Sequence, residues 1–246
     1  MRLHVGTSGW AYREWRGDFY PPHLAQSRFL EHYGRALDAC EINATFYRLQ
    51  TDSTLLRWAE ATPPTFRFAL KAHRRLTHGR TIAPGSENRS FLDTFLRSAS
   101  TLGERLGAVL FQFPPYRHRD DKALHSLLDA LPPGTPYAFE FRHESWSDPA
   151  ITAAVAAAGG TLCISDTQGV VPTSLPPGPI GYVRLRTERY DAEARWRWLQ
   201  LLRSESAHRH VYAFAKHEGI PPADPYGGVG LAAWMVEQQR TAGRLS

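Results

Sequence analysis

The sequence predicts a single (β/α)8 barrel of the TIM type, with its sixth helix missing or degenerate. Two observations favour this fold: strand-like and helix-like segments alternate about eight times along 246 residues, and polar side chains recur late in several of the strands. An open doubly wound sheet is the alternative, but it would concentrate the polar residues at one crevice. We therefore expect one barrel domain over residues 1–246, with a polar pocket at the carboxyl ends of its strands.

The fifth predicted strand shows the pattern most clearly. Between Tyr137 and Arg142, aromatic residues alternate with Ala138, Glu140 and Arg142, so the two faces of the strand differ. In a closed parallel barrel the aromatic face packs beneath helices and the other face points to the barrel axis. Glu140 and Arg142 would then emerge at the mouth. A buried ion pair that ties this strand to a neighbour is the alternative.

The first unit combines a short strand with an aromatic loop. The strand covers residues 3–7, and the loop that follows crowds Trp10, Trp15 and further aromatic residues into about a dozen positions. This loop is either a stacking surface for a sugar or base or a hydrophobic plug over the barrel end. A helix with apolar residues at helical spacing is predicted over residues 24–37.

The second and third strands, residues 39–46 and 66–71, repeat the alternation. Glu41 and Asn43 share one face of the second strand, and Lys71 lies on the polar face of the third. The second strand is followed by Tyr47, a further aromatic candidate for ligand stacking. Helices are predicted over residues 51–61 and 91–102.

A long basic loop, residues 73–89, separates the third strand from its helix. It is longer than most connections in compact domains, so we expect it to be functional or mobile. Its arginines, together with the aromatic first loop, are typical of a surface that binds a nucleic-acid backbone and its bases.

The remaining strands continue the series. Gln112 lies late in the fourth strand and Arg184 late in the seventh, while the eighth strand delivers Lys216 into a Gly- and Pro-rich loop. The segment after the sixth strand, residues 166–180, is too rich in Pro and Gly for a helix, and we expect a loop with at most a short 3₁₀ turn. Strands are predicted over 107–113, 161–165, 182–186 and 211–215, and helices over 121–131, 149–158, 192–202 and 231–240.

Composition limits the classes of protein. The net charge is +5, but lysine occurs only at positions 71, 122 and 216, and the arginines are spread along the chain, so the charge is a weak nucleic-acid signal. No signal peptide or membrane-spanning run is evident, and we expect a cytoplasmic protein. The two cysteines, Cys40 and Cys163, lie in strand-like segments and are expected to be reduced and structural.

Several motifs resemble those of a known family. GTSGW with Tyr12, Trp15 and FYP, then EINATFYR, FALKAHRRLTH, LFQFPP, FEFRHESW and YVRLR occur in order over most of the chain. Together they resemble the YecE-like family, domain-of-unknown-function family 72. The resemblance implies a TIM barrel and no established activity. The match weakens after the eighth strand, where many members carry paired asparagines and this chain has Ala215-Lys216-His217-Glu218.

The predicted pocket suggests acid–base chemistry. Glu41 and Glu140, with Lys71 nearby, would suffice for hydrolysis or for proton abstraction next to a carbonyl group. Lys71 would alternatively form a Schiff base, or simply neutralise a glutamate. No metal-binding spacing, phosphate-binding loop or dinucleotide fingerprint occurs, so we expect neither a metal nor a cofactor.

Two functional classes follow. The first is an enzyme, a hydrolase or lyase, that acts on a small anionic, phosphorylated or sugar-like substrate. Arg142 or Arg184 would hold the anion, with Trp10, Trp15, Asn43, Tyr47, Gln112 and Lys216 as further binding residues. The alternative is a nucleic-acid-binding or processing protein. A competing interpretation is that both arginines are consumed in ion pairs with the glutamates, which would make the mouth a structural plug.

Overall fold

The computed structural model describes residues 2–79 and 82–242. Its described residues form one all-parallel sheet of nine strands, in the order β6-β5-β4-β3-β2-β1-β9-β8-β7. The strands are β1 (Leu3–Thr7), β2 (Ala39–Ile42), β3 (Arg67–Lys71), β4 (Leu106–Phe113), β5 (Tyr137–Phe141), β6 (Gly160–Leu162), β7 (Ile164–Asp166), β8 (Ile180–Leu185) and β9 (His210–Ala215).

The nine strands correspond to the eight of the predicted barrel. Only Cys163 separates β6 from β7; β6 pairs with β5, and β7 pairs with β8. The interrupted sixth strand therefore joins the two ends of the sheet, and the barrel is nearly closed. The prediction of an α/β barrel is confirmed, with one strand divided into two short pieces.

Helices connect the strands on the outside of the barrel. Among the described residues, none of them is long and apolar enough to cross a membrane. The α-helices are α1 (Phe29–Ala36), α2 (Ala44–Tyr47), α3 (Asp52–Glu60), α4 (Arg74–His78), α5 (Glu87–Ser100), α6 (Asp121–Leu128), α7 (Pro149–Ala157), α8 (Ala192–Ser206) and α9 (Gly228–Ala242).

Strand alternation separates two apolar regions. The larger lies between the sheet and the helices and includes Phe111 and Phe139, whereas a smaller cluster fills the barrel interior and includes Ala69, Ala138 and Tyr182. The next inward positions along the same strands carry the polar side chains, as the alternation of strand side chains requires.

The structure corrects the start of one predicted helix and the extent of one predicted loop. Helix α1 begins only at Phe29, because a 3₁₀ turn precedes it. The basic stretch 73–89 is not one long loop: it contains α4 and the start of α5, where the Ser86 side chain accepts a hydrogen bond from the Arg89 backbone and caps the helix. Arg80 and Thr81, which belong to that predicted loop, lie outside the described residues.

The sixth unit lacks its helix, as predicted. Residues 167–179 contain no α-helix, and Gly169 and Gly178 adopt φ angles of 77° and 144° that favour glycine. A groove of about 590 Å³, lined by Phe139, Trp146 and Pro177 among others, lies on the outer side of the barrel beside this segment. The polar side chains of the mouth lie elsewhere, on the inward faces of the strands.

Candidate functional site

Hydrogen bonds bring four of the predicted site residues together at the carboxyl ends of the strands. Gln112 and Glu140 occupy paired positions on β4 and β5, and Gln112 Nε2 donates to Glu140 Oε2 at 2.8 Å. Arg184, from β8, reaches across to Glu41 on β2 and to Glu140. Residues that are distant in sequence therefore form one network, as their shared parity predicts.

Arg184 is the centre of this network. Its Nη2 and Nε donate to Glu41 Oε1 and Oε2 at 2.8 and 3.0 Å, and its Nη1 donates to Glu140 Oε2 at 2.7 Å. All three guanidinium nitrogens are thus used by two buried carboxylates. These bonds disfavour Arg184 as the main anion-binding residue, and that role stays a prediction.

Glu41 has three further donors that the sequence analysis did not include in the site. Ser8 Oγ donates to Glu41 Oε1 at 2.7 Å, Tyr182 Oη to Oε2 at 2.8 Å, and Arg186 Nη2 to Oε1 at 3.1 Å. Tyr182, Arg184 and Arg186 are alternate residues of the seventh predicted strand and so share one face of it. That shared face would have identified Tyr182 and Arg186 from the sequence. We call Glu41, Gln112, Glu140, Tyr182 and Arg184 the closed network.

Both carboxylates of the closed network are held in the ionised form. Burial by itself would raise the pKa of Glu41 and of Glu140. The charge of Arg184, with Arg186 beside Glu41 and Arg142 beside Glu140, more than offsets burial and lowers both pKa values below the usual range. An ionised carboxylate cannot donate a proton, so this state disfavours Glu41 and Glu140 as general acids; a role as general base stays a prediction.

Lys71 lies outside these ion pairs. Its amino nitrogen is 3.9 Å from the centroid of the Phe46 ring, and no carboxylate of the described residues lies within 4.0 Å of it. Burial, followed by the charge of Arg184, lowers the pKa of Lys71 to about 8. Lys71 therefore makes no direct ion pair with a glutamate among the described residues, and Arg184 and its neighbours are the partners of both carboxylates.

Two arginines retain unpaired donors. Arg142 Nε donates to Glu140 Oε1 at 2.8 Å, but its two terminal nitrogens have no partner among the described residues, and its side chain is 43% exposed. Arg186 uses Nη2 for Ser8 and Glu41, while its buried Nε has no hydrogen-bond acceptor within the described chain. We call Lys71, Arg142 and Arg186 the open cations.

A cavity of about 680 Å³ lies at this mouth. Arg142, Arg184 and Arg186 line it, and so do Asn43 and Lys216; Lys71 is not part of its lining. The buried Asn43 Oδ1 has no donor among the described residues, and Lys216 Nζ lies 3.4 Å from Glu188 Oε1. The remaining lining residues are Ser8, Pro115, Glu140, Phe141, Cys163, Ser165, Thr167 and Glu218.

Comparison with known proteins assigns this barrel to a family. A family profile described as "Protein of unknown function DUF72" matches residues 4–224. The chain belongs to the DUF72 family. It is 30% identical over 152 residues to the UPF0759 protein YunF of Bacillus subtilis (strain 168), covering 60% of this chain and 53% of YunF.

A second curated relative leads to the same assignment. The UPF0759 protein YecE of Escherichia coli (strain K12) is 30% identical over 142 residues, covering 57% of this chain and 48% of YecE. This DUF72 chain therefore spans about half the length of the curated relatives it matches. The resemblance to the YecE-like family is confirmed.

Solved structures of DUF72 proteins share the fold. A DUF72 family protein of Thermotoga maritima MSB8 has a TM-score of 0.78 at 23% identity, covering 98% of this chain and all of the other. A DUF72 family protein of Enterococcus faecalis V583 has a TM-score of 0.69 at 17% identity, covering 97% of each chain. These likenesses concern the fold.

The aromatic candidates of the DUF72 barrel separate into buried and exposed rings. Trp15 is 1% exposed and packs against Tyr12, Phe19 and Tyr20, so it offers no ring face to a ligand. For Trp15 the stacking interpretation is corrected, and the plug interpretation fits. Trp10 is half-buried, edge-on to Trp58 at 5.1 Å. By contrast, Tyr47 is 69% exposed and remains a candidate.

The other reactive side chains of the DUF72 chain give no sign of a metal centre. Within residues 2–79 and 82–242, no group of three or more His, Cys, Asp or Glu side chains is arranged to hold a metal ion. Cys40 and Cys163 are free thiols, and burial raises the pKa of each above its usual value. This agrees with reduced, unreactive thiols.

Proposed function

We propose that this DUF72 protein is an enzyme that acts on a small anionic substrate at the mouth of its barrel. Arg142 and Arg186 bind the anion, and Lys71 is the reactive group. The closed network positions these residues and takes no part in proton transfer. Of the two reaction classes expected from the sequence, a lyase-type reaction at a carbonyl compound is favoured over carboxylate-assisted hydrolysis.

The observation that carries this proposal is the imbalance of charge around the cavity. The closed network neutralises Glu41 and Glu140 largely through Arg184, and the open cations remain as additional positive charges. Arginine offers a bidentate fork that matches a carboxylate or phosphate, and Arg142 has both terminal nitrogens unused. An anionic ligand would satisfy donors that the described protein groups leave without partners.

The chemistry assigned to Lys71 follows from its surroundings. An amine with a pKa of about 8 exchanges protons near neutral pH, whereas an ordinary lysine is almost fully protonated there. The positive charges that lower this pKa also attract an anionic substrate. Lys71 is therefore suited to proton abstraction next to a carbonyl group or to nucleophilic attack on one.

Calorimetry at low salt tests the anion site. Inorganic phosphate and phosphorylated sugars would be titrated into wild type, Arg142→Ala and Arg97→Ala; Arg97 is exposed on α5 and is the matched control. Loss of a charged hydrogen bond costs about 1.5–3 kcal/mol, so we expect Arg142→Ala to weaken binding roughly 10- to 100-fold. Equal affinity in all three proteins, or no binding to wild type, would contradict the proposal.

A second candidate function rests on an exposed aromatic and basic surface. Tyr47 and Tyr116 are 69% and 66% exposed, and between them Phe46 and His78 are in contact, with ring centroids 5.1 Å apart. His78 also contacts Tyr116 at 6.0 Å, and the exposed Arg74 belongs to the same helix, α4. Such a surface is suited to stacking bases of single-stranded nucleic acid.

Salt dependence separates the two candidates. Nucleic-acid binding releases counterions, so the affinity for a single-stranded oligonucleotide would fall steeply as salt rises. Tyr47→Ala and Tyr116→Ala would weaken it, each by about 1–3 kcal/mol, without changing phosphate binding. The absence of oligonucleotide binding at low salt would eliminate this second function.

A further inference from the structure

We propose that Lys71 forms an imine with the carbonyl carbon of an anionic aldehyde or ketone whose carboxylate or phosphate is bound by Arg142. This inference rests on the proposed function, because it uses the same anion site. It specifies the substrate class and the covalent step, which the charge of the pocket alone does not.

The position of Lys71 is the first argument. Lys71 ends β3, two residues after Ala69, which belongs to the apolar cluster inside the barrel, so the two side chains share the inward face. The charges that act on Lys71 come from Arg184, Glu41, Arg142 and Glu140, all of them residues of the mouth. The amine thus faces the same end of the barrel as Arg142, although Lys71 is not part of the lining of the mouth cavity.

The absence of a counterion is the second argument. A lysine that served only to balance charge would contact a carboxylate, but among the described residues the amine of Lys71 makes no ion pair or hydrogen bond and lies over the Phe46 ring. Glu41 and Glu140 are occupied by Arg184 and its neighbours. The four-carbon side chain is therefore free to leave the Phe46 ring without breaking an ion pair.

The protonation state supports nucleophilic attack. With a pKa of about 8, about one Lys71 amine in ten is neutral at pH 7, far more than for an ordinary lysine. Only the neutral amine has the lone pair that attacks a carbonyl carbon. Desolvation and adjacent cationic groups are the two means by which proteins activate an imine-forming lysine, and both act here.

The covalent step balances with one proton from solvent and no further reactant. The lone pair of Lys71 Nζ forms a C–N bond to the carbonyl carbon, and the oxygen takes up a proton to give a carbinolamine. The proton on that oxygen is balanced by one that leaves the nitrogen. One further proton from solvent lets the oxygen leave as water, so neutral amine, carbonyl compound and one proton give a protonated imine and water, with no oxidation or reduction. Addition of water to the imine carbon reverses these steps and releases the carbonyl compound, the proton and the free lysine.

The anionic group of the substrate has a defined place. The Arg142 side chain lines the cavity, is 43% exposed and has both terminal nitrogens without a partner among the described residues, and the Arg186 guanidinium adds positive charge to the same wall. An aldehyde or ketone with a nearby carboxylate or phosphate would be held by Arg142 with its carbonyl group directed to Lys71. A neutral aldehyde would lack this attachment.

Reductive trapping tests the inference. The folded protein would be treated with glyoxylate, an anionic aldehyde, and in parallel with neutral acetaldehyde, each with cyanoborohydride at pH 7.5. Because lysine occurs only at positions 71, 122 and 216, peptide mass spectrometry can follow every site. Exposed Lys122 on α6 is the internal control. We expect glyoxylate to modify Lys71 at least tenfold faster than Lys122, and phosphate to compete.

Variants make the outcomes distinct. Arg142→Ala should remove the preference of Lys71 for glyoxylate over acetaldehyde, and Lys71→Arg, with folding checked by circular dichroism, should leave only background labelling. Labelling of Lys71 no faster than Lys122 would overturn the imine. If calorimetry still showed phosphate binding that depends on Arg142, the proposed function would stand without it. Equal labelling of Lys71 by both aldehydes would overturn the anionic substrate class.

Discussion

Arg184 and Lys71 occupy similar places in the barrel but have opposite surroundings. Both lie on inward faces near the ends of their strands, β8 and β3, and both carry positive charge. Every guanidinium nitrogen of Arg184 donates to a buried carboxylate, whereas the amine of Lys71 makes no ion pair or hydrogen bond among the described residues and lies over an aromatic ring. Two cations of similar charge and position therefore differ in how many of their donors have protein partners, and only donors without partners are available to a ligand.

The largest expected effect breaks the closed network. Arg184→Met would leave Glu41 and Glu140 buried with fewer partners, and removing one member of a buried ion pair costs about 3–5 kcal/mol. Urea unfolding would measure this loss against Arg97→Met, an exposed arginine on α5. Adding Glu41→Gln to Arg184→Met should recover part of the loss, since one unpaired charge is then removed. A loss below about 1 kcal/mol would show that Arg184 is not the structural centre.

The acid dependence of stability tests the same network from the carboxylate side. Folding lowers the pKa of Glu41 and of Glu140 below the value of 4.5 that each has in the unfolded chain. The stability that the two groups contribute to the folded protein is therefore fully present above pH 4.5 and is lost as the pH falls from there toward the folded pKa. In that window each group makes the free energy of unfolding depend on pH by up to about 1.4 kcal/mol per pH unit. Between pH 5 and 3, Glu41→Gln should lose stability less steeply than wild type in urea titrations; parallel curves would contradict this.

Lys71 should have the opposite effect on stability at neutral pH, because its buried charge destabilises the folded protein, although the slope of stability with pH has the same sign as for the glutamates. Its pKa is about 8 in the folded protein and 10.5 in the unfolded chain, so the unfolded chain binds more protons and stability rises as pH increases across this interval. Lys71→Met removes the buried charge and keeps a contact for the Phe46 ring. We expect a gain of about 0.5–2 kcal/mol at pH 7 in thermal unfolding, and a flatter pH dependence from pH 8 to 10.5. A loss of stability, with Lys122→Met unchanged, would indicate that the Lys71 charge is stabilising.

The smallest stability effect should come from Arg142. Its side chain is 43% exposed and makes one ion pair with Glu140, which keeps Arg184 and Gln112 as donors. Arg142→Ala should therefore change the free energy of unfolding by less than about 1 kcal/mol, although it weakens anion binding. A larger loss of stability would place Arg142 in the closed network and leave Lys71 and Arg186 as the open cations.

The barrel, the missing sixth helix and the shared inward face of four polar residues could be predicted from the sequence alone. Asn43 is an exception, because β2 ends at Ile42 and Asn43 precedes helix α2 instead of continuing the predicted strand. Glu41, Gln112, Glu140 and Arg184 could be grouped because side chains of a strand alternate between two faces and parallel strands end at the same side of a sheet. Proline and glycine in residues 166–180 were sufficient to exclude a helix there. Both rules act over a few residues, so the local sequence is enough to apply them.

Only the tertiary structure decided which of these residues are paired and which remain unpaired. Arg184 meets Glu41 from a strand more than a hundred positions further along the chain. Ser8, just after β1, and Arg186, just after β8, donate to the same carboxylate. Trp15 and Tyr47 look equally aromatic in sequence, but one ring is buried and the other is exposed. Hydrogen-bond saturation and burial depend on distances across the closed barrel, and the alternation of residues within one strand does not contain those distances.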